Sequence, residues 1–524
     1  MQRPLSRTLA FAVLLVGCAA ARPARFAGSP AVLQVADHAP IPLPQLRDPI
    51  ATLALASAYV RRPVVEALDP RRAPDARDVN ALDEVPHSSW FCPGCVEESG
   101  DEREPPVLPF RILASPPDSG GDALAAVDAR GRRFELRGDS PDRPGMRTAA
   151  AVIASRLAAA FGYRTAPAFA IDVGLTDFSL PNTGDDGRAR AFLGAGPVTA
   201  GSPAGGAVTV EERYRIVAVR WPIGLDRGPT PSNDRRHDDP NDHVTHLHRR
   251  TLRALTAVFG WLGLGSLGPS VLRDTYVGAP GSGHLHHYLV DLGDALGAGA
   301  VVRPHPGGAT VGDGANPWVT LGSFGLYTQP VRPTQQRWLS IGELDEHLSP
   351  ADFSLAPPFA PADRALPADV YWAAKRMLAI PDGAIEAALD AGRMRDASAR
   401  ARLAEILRAR RLRVAEWAFS GIVPCEPVRV DAGELVLRDE AASRGITTGA
   451  SPAYDVDLLD DLGREVLPRA RLTATGATLN VALPAAEALD YLVVRITGSG
   501  GQRRAFEAHL RRRDGGWTIA GVRH

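Results

Sequence analysis

Four cysteines, two clusters of histidine and one lysine are the side chains of this 524-residue chain whose types and spacing could do chemistry. Cys92 and Cys95 stand in Trp90-Phe91-Cys92-Pro93-Gly94-Cys95, a spacing open to a disulfide, thiol exchange or half a metal site. A redox motif needs a strand-then-helix setting, which is not evident here, and a zinc ribbon needs a second CxxC, which is missing. The pair is therefore read as structural, with redox and metal chemistry as alternatives. Cys425 stands alone. Histidines gather at His243, His246 and His248, and again at His284, His286 and His287. Imidazole clusters suit zinc, copper or nickel. However, no HExxH occurs, and on a helix His243 and His246 share a face whereas His246 and His248 do not. Surface or hydrogen-bonding roles are expected for them. No GxSxG elbow, Walker loop or GxGxxG before a helix is present.

Of 59 Lys+Arg, only Lys375 is lysine. Arginine holds phosphate bidentately but does not deprotonate, so amine chemistry has one candidate in the chain. Hydrophobic residues at 45% and charged residues at 23% are globular proportions. A net charge of -1 supplies no positive field, so nucleic acid is not an expected partner. At roughly 150 residues per domain the length suggests about three units.

Arg3 and Arg7 precede an apolar run from Leu9 to Val16, and Leu15-Val16-Gly17-Cys18 follows. This resembles the lipobox of bacterial lipoproteins, which implies a signal peptide over 1–17 and lipidation of Cys18. The apolar run is short of the ~20 residues that span a bilayer, so the expectation is an anchored chain of the cell envelope. Ala19, by the same resemblance, favours the outer membrane. Export would also permit a disulfide between Cys92 and Cys95.

The elements that would position these groups follow from periodicity. Residues 18–80, rich in Ala, Pro and Arg, read as a tether with a short helix near Ile50 to Tyr59. Pro105 to Ala126 reads as a loop, and Arg132 to Arg137 alternates as a strand. Ala149, Val152, Ile153, Leu157, Ala160 and Phe161 share a helix face that ends at Gly162. Leu180 to Val208 reads as a Gly-rich loop or flap, Tyr214 to Trp221 as a strand, and Asp234 to Asp242 as a solvated charged loop. Helices are expected over Leu252 to Leu262, Asp369 to Leu378 and Ala399 to Phe419, with strands reaching Tyr276 and over His287 to Asp291. Trp90, Trp338 and Trp372 are expected to pack in the core. From 427 to 524, short alternating runs between glycine turns predict a small all-β sandwich.

In their order, Asp83-Glu84-Val85-Pro86-His87-Ser88-Ser89-Trp90-Phe91, the strand ending at Arg137, Thr148 to Tyr163, Asp238-Asp239-Pro240-Asn241-Asp242, His246-Leu247-His248-Arg249-Arg250 and His287-Tyr288-Leu289-Val290-Asp291-Leu292-Gly293 carry a resemblance. The chain resembles a family of uncharacterised proteobacterial, myxobacterial-type exported lipoproteins with a kinase-like core, distantly similar to the CotH and HipA kinases. The resemblance implies an α+β fold in which a degenerate protein-kinase-like core with a helical lobe covers 81–426. It also places Arg137 where a kinase has its phosphate lysine, Ala151 where a helix acid holds that lysine, and Ser266 and Val271 where the catalytic loop has Asp and Asn. Only Asp291 keeps its type, as a magnesium ligand if nucleotide binds. Phosphoryl transfer rests on positioning and charge neutralisation, so those losses imply an inactive core and no cofactor. The expected role is a binding or scaffolding module for an unknown protein partner. Two alternatives stand beside it. One is an atypical ATP- and magnesium-dependent phosphotransferase using Asp291 with Asp274 or Asp239. The other, weaker, is a redox or metal-handling lipoprotein using Cys92, Cys95 and the histidines.

Overall fold

The computed structural model describes residues 25–47, 75–94, 104–113, 123–196, 212–232, 234–265, 267, 271–299, 337–355, 359–446, 452–485, 489–498 and 503–524. Its strands run β1 Phe110–Ile112, β2 Ala123–Val127, β3 Arg133–Gly138, β4 Arg164–Thr165, β5 Ala168–Val173, β6 Phe178–Ser179, β7 Tyr214–Arg220, β8 Leu225–Pro229, β9 Leu272–Val277 and β10 His284–Leu289. Two mixed sheets result, one of six strands in the order β5-β7-β3-β2-β1-β6 and one of four in the order β4-β10-β9-β8. Between them passes helix α1, Met146–Phe161, where Ala149, Ala150, Ala151, Ala154 and Ala158 with Ile153, Leu157 and Phe161 are buried, whereas Ala160, expected on that face, is exposed. Asp139, just past β3, accepts the Gly145 and Thr148 backbone N–H groups at 2.8 and 2.9 Å, so one carboxylate ties strand to helix entry. Gly162 closes the helix at φ 124°.

Helix α2 Thr183–Gly194 packs on the six-stranded sheet through Ala189 and Leu193, and the helical part is built from α3 Leu255–Leu262, α4 Pro367–Ala379, α5 Asp382–Ala391 and α6 Ala397–Ser420. Trp261, Trp372, Tyr371, Phe161 and Leu407 fill one core there. After it, β11 Cys425–Asp431, β12 Glu434–Asp439 and β15 Thr478–Ala482 form a three-stranded sheet. β13 Ala453–Leu459, β14 Glu465–Thr473, β16 Tyr491–Gly498, β17 Phe506–Arg513 and β18 Gly516–Arg523 form a five-stranded one. Every pairing in both is antiparallel. Leu435, Leu437 and Val481 from the first meet Val456, Val494 and Phe506 from the second in a common core.

The observed architecture is therefore mixed helix and sheet with a wholly antiparallel C-terminal part, and four local expectations change. Pro105 to Ala126 contains β1 and β2, whose short runs proline and glycine neighbours mask. The supposed flap contains α2, started by Asn182 accepting the Asp185 N–H at 2.8 Å and held by buried Ala189 and Leu193. The loop Asp234 to Asp242 is not solvated throughout, because Arg236, Asp239, Asn241 and Asp242 are buried. Residues 25–47 are a strap lying on the fold rather than a tether: Val35 N–H bonds to His87 O, Ile41 N–H to Gly283 O, and Phe26 N–H to the Tyr491 hydroxyl. The helix expected near Ile50 to Tyr59 lies outside the described residues.

Candidate functional site

Strand β3 alternates, so Glu135 and Arg137 project from one face. Strand β10 ends at Leu289, and Asp291 then turns the backbone left-handed at φ 52° before a 3-10 turn over Leu292–Asp294. These two segments meet beside α1. Arg137 Nη2 lies 3.1 Å from Asp291 Oδ2, and its Nε donates to Glu135. Arg147, one turn before Ala151 on α1, donates to Asp294 Oδ1 at 2.9 Å. A Cβ on Gly293 would come within 4.0 Å of the Ala151 Cβ and 3.9 Å of Asp291 Oδ1. Arg137, Ala151 and Asp291, far apart in sequence, are thus brought together. Val271 is buried at the foot of β9, where its carbonyl accepts the Val290 N–H at 2.8 Å, one residue before Asp291. Ser266, Cys18 and Cys95 lie outside the described residues.

Burial acts against the charge on Arg137, but Asp291 and then Glu135 outweigh it and raise the pKa. Five charges interlock here: two guanidiniums and the carboxylates of Glu135, Asp291 and Asp294. Sequence reasoning missed Glu135, Arg147 and Asp294. The two-residue strand period from Arg137, the four-residue helix period from Ala151 and the Asp291-to-Asp294 spacing were the signals available.

Three carboxylates line the site, and each is paired with a guanidinium. Mg2+ needs near-octahedral oxygens at about 2.0–2.1 Å, and here Asp291 Oδ2 is already paired with the Arg137 guanidinium at 3.1 Å. On the helix face toward Asp291 stand the uncharged Ala151 and the cationic Arg147.

Asp274 and Asp239, the other carboxylates considered, belong elsewhere. Asp274 on β9 is fully buried and accepts from Thr230 Oγ1 at 2.5 Å, Arg236 Nη1 at 2.9 Å and His287 Nδ1 at 2.8 Å. Burial alone would raise its pKa, yet His287 and Arg236 hold it well below the ordinary carboxylate range. Asp242 is likewise buried and lowered, against burial, by His246 at 2.8 Å and by Arg249. Trp90 ties the two groups: its ring stacks on His287 at 3.6 Å, meets His246 edge-on at 4.7 Å and lies under Arg249. Asp239, whose pKa burial raises, accepts the Asn241 N–H at 2.9 Å. The stretches His87 to Trp90, Asp238 to Asp242, His246 to Arg250 and His287 to Asp291 therefore build a buried framework next to β10.

His246 and His287 take the expected hydrogen-bonding role. His284 and His286, on the opposite face of the same strand, instead gather with His38 of the strap. Burial first, then Arg164, lowers the pKa of His286 to about 2, so its imidazole is neutral. Cys92 is disulfide-bonded, and Cys425 is free and buried. Lys375 is half-buried and pairs with Glu84, at 2.6 Å, and Glu426, which engages its amine in ion pairs. Trp90 and Trp372 are core residues and Trp338 packs against the core. Among the described residues no helix is long and apolar enough to cross a membrane.

Neither known family profiles nor curated proteins match the sequence. Among solved structures, that of a Golgi casein kinase with Mn and ADP bound is similar over 73% of this chain and 94% of that one, at 9% identity and a TM-score of 0.30. A likeness that slight carries no argument about this chain.

Proposed function

We propose that the chain is a lipid-anchored envelope protein whose kinase-like core no longer transfers phosphate and acts as a binding or scaffolding module for a protein partner. The observation that carries this reading is the ion pair between Arg137 and Asp291 at 3.1 Å beside an uncharged Ala151. In a working phosphotransferase the acid would be free for a divalent ion and the cation would be held by the helix. Here each occupies the other. The buried framework around Trp90 supports a core kept for rigidity, since Asp242 and Asp274 are each paired internally.

The test is a thermal shift with ATP and magnesium on purified chain, together with transfer of radiolabelled phosphate. No stabilisation and no transfer are expected. A rise in Tm or phosphate turnover that disappears in Asp291→Ala would overturn the reading and restore the phosphotransferase. Anchoring has a separate readout: Cys18→Ser abolishes fatty-acid labelling, and labelling that persists removes the anchor from the proposal.

A further inference from the structure

Three imidazoles from distant parts of the chain converge at the edge of β10. His284 and His286, two residues apart on the strand, share one face, with Nε2 to Nε2 at 3.0 Å. His38 stands edge-on to both, its ring centroid 4.5 Å from that of His284 and 5.5 Å from that of His286. It is delivered by the strap, which the Ile41 N–H to Gly283 O bond of 2.9 Å fixes just before β10 begins. One ligating atom from each of the three lies within 4.8 Å of the others. Behind His38, Asp37 is 5% exposed. Its Oδ2 accepts Ser89 N–H and Oγ–H at 2.8 and 2.7 Å. Its Oδ1 is buried, makes no hydrogen bond and lies 3.3 Å from His38 Nδ1.

The arrangement suits a shared ion as well as a shared proton. Between the two imidazole nitrogens at 3.0 Å one proton makes an N–H···N bond, and with a His38 nitrogen also within 4.8 Å an ion can take that proton's place and engage all three rings. Around a tetrahedral ion with Zn–N of about 2.0–2.1 Å, ligand nitrogens sit about 3.4 Å apart, a spacing small ring rotations reach here. Asp37 supplies the nearby negative charge and the partner that directs a metal-bound imidazole. His38 and His284 are half-buried, which leaves the fourth position open to water.

We propose that His38, His284 and His286 bind one divalent transition-metal ion of the imidazole-preferring class, backed by Asp37, and that the ion pins the N-terminal strap to β10. The site is independent of the Arg137–Asp291 pair and stands or falls separately from it.

Zinc is the probe. Chelator-treated full chain titrated calorimetrically with Zn2+ is expected to take one ion per chain, with an absorption-edge spectrum of a nitrogen first shell containing three imidazoles and a rise in Tm on loading. His284→Gln and His38→Ala, neither fully buried, each weaken binding at least about tenfold, and Asp37→Asn by roughly tenfold, the usual effect of losing a ligand's partner. His237→Ala, in an exposed turn, leaves affinity unchanged. Circular dichroism melts of each variant check that it is folded. Absence of stoichiometric zinc on wild-type chain, or unchanged affinity in folded His284→Gln, overturns the proposal.

Discussion

At Asp274 three donors converge on one fully buried carboxylate, and the energetics of that residue follow from what removal would leave behind. Asp274→Ala leaves buried His287 without its carboxylate acceptor and Arg236 with only Asp238 and backbone carbonyls. Breaking a buried pair by deleting one partner costs about 3–5 kcal/mol, so a large drop in the urea midpoint with an unchanged slope is expected. The same residues set the acid limit of the fold. Asp83, lowered to about 2, Glu507, also lowered to about 2, and Asp242, Asp274 and Glu426 all have depressed values because cations outweigh their burial. A depressed carboxylate contributes stability above its unfolded pKa of about 4 and loses it as pH falls through the folded value. Asp139 and Asp239, raised by burial, pull the other way but are fewer. Urea midpoints are therefore expected to hold from pH 6 to about 4.5 and to collapse between about 4 and 2; a flat profile across that window would contradict the pairing. At this scale the sequence was only partly legible. Arg137 and Asp291 were reached only through the family resemblance, whereas nothing local marks His38 as a neighbour of His284, since a strap crossing from the N-terminus makes that contact.

Among the elements, α1 decides the geometry of the Arg137 site, and its end is fixed by one glycine. Gly162 has φ 124°, and a Cβ there would lie 2.5 Å from the Phe91 ring. The Phe91 ring in turn packs against Phe161, Tyr163 and Trp372. Gly162→Ala combines an unfavourable backbone angle with a displaced aromatic, a cost of about 1–3 kcal/mol from the backbone strain alone. Its Tm should fall, and Gly187→Ala, in the exposed α2 where a Cβ meets nothing within 4 Å, serves as the control with no loss. Helices with long apolar stripes, α1, α4 and α6, were legible from periodicity, as were most C-terminal strands. The helix α2 and the strands β1 and β2 were not, because their short runs are flanked by the same Gly, Pro and Asp that mark loops, and their apolar faces make sense only against the six-stranded sheet.

For the whole molecule, the lone lysine reports how the C-terminal sheets are joined to the helical core. Lys375 on α4 is half-buried between Glu84, before the core, and Glu426 on β11. The last residue, His524, closes the same joint: its Nδ1 lies 2.9 Å from Asp83 Oδ2 and its Nε2 donates to Cys425 O at 3.1 Å. Burial works against a charge on His524, but Glu426 and Asp83 outweigh it and raise its pKa above the ordinary histidine value. A raised histidine contributes stability that is complete below its unfolded pKa of about 6.5 and is lost as pH climbs through the folded value. Opening of the joint should therefore become easier on the alkaline side of neutrality, and Lys375 makes this measurable, because an amine-reactive label has one lysine to find. Native chain is expected to resist acetylation at Lys375 and unfolded chain to react fully. His524→Ala removes hydrogen bonds to charged groups worth about 1.5–3 kcal/mol, which raises the open population, and with it the labelling rate read by mass spectrometry, roughly tenfold or more. Tracking that rate from pH 6 to 9 should show a rise in wild type beyond the reagent's own pH dependence and none in His524→Ala; identical profiles in the two would remove His524 from the joint.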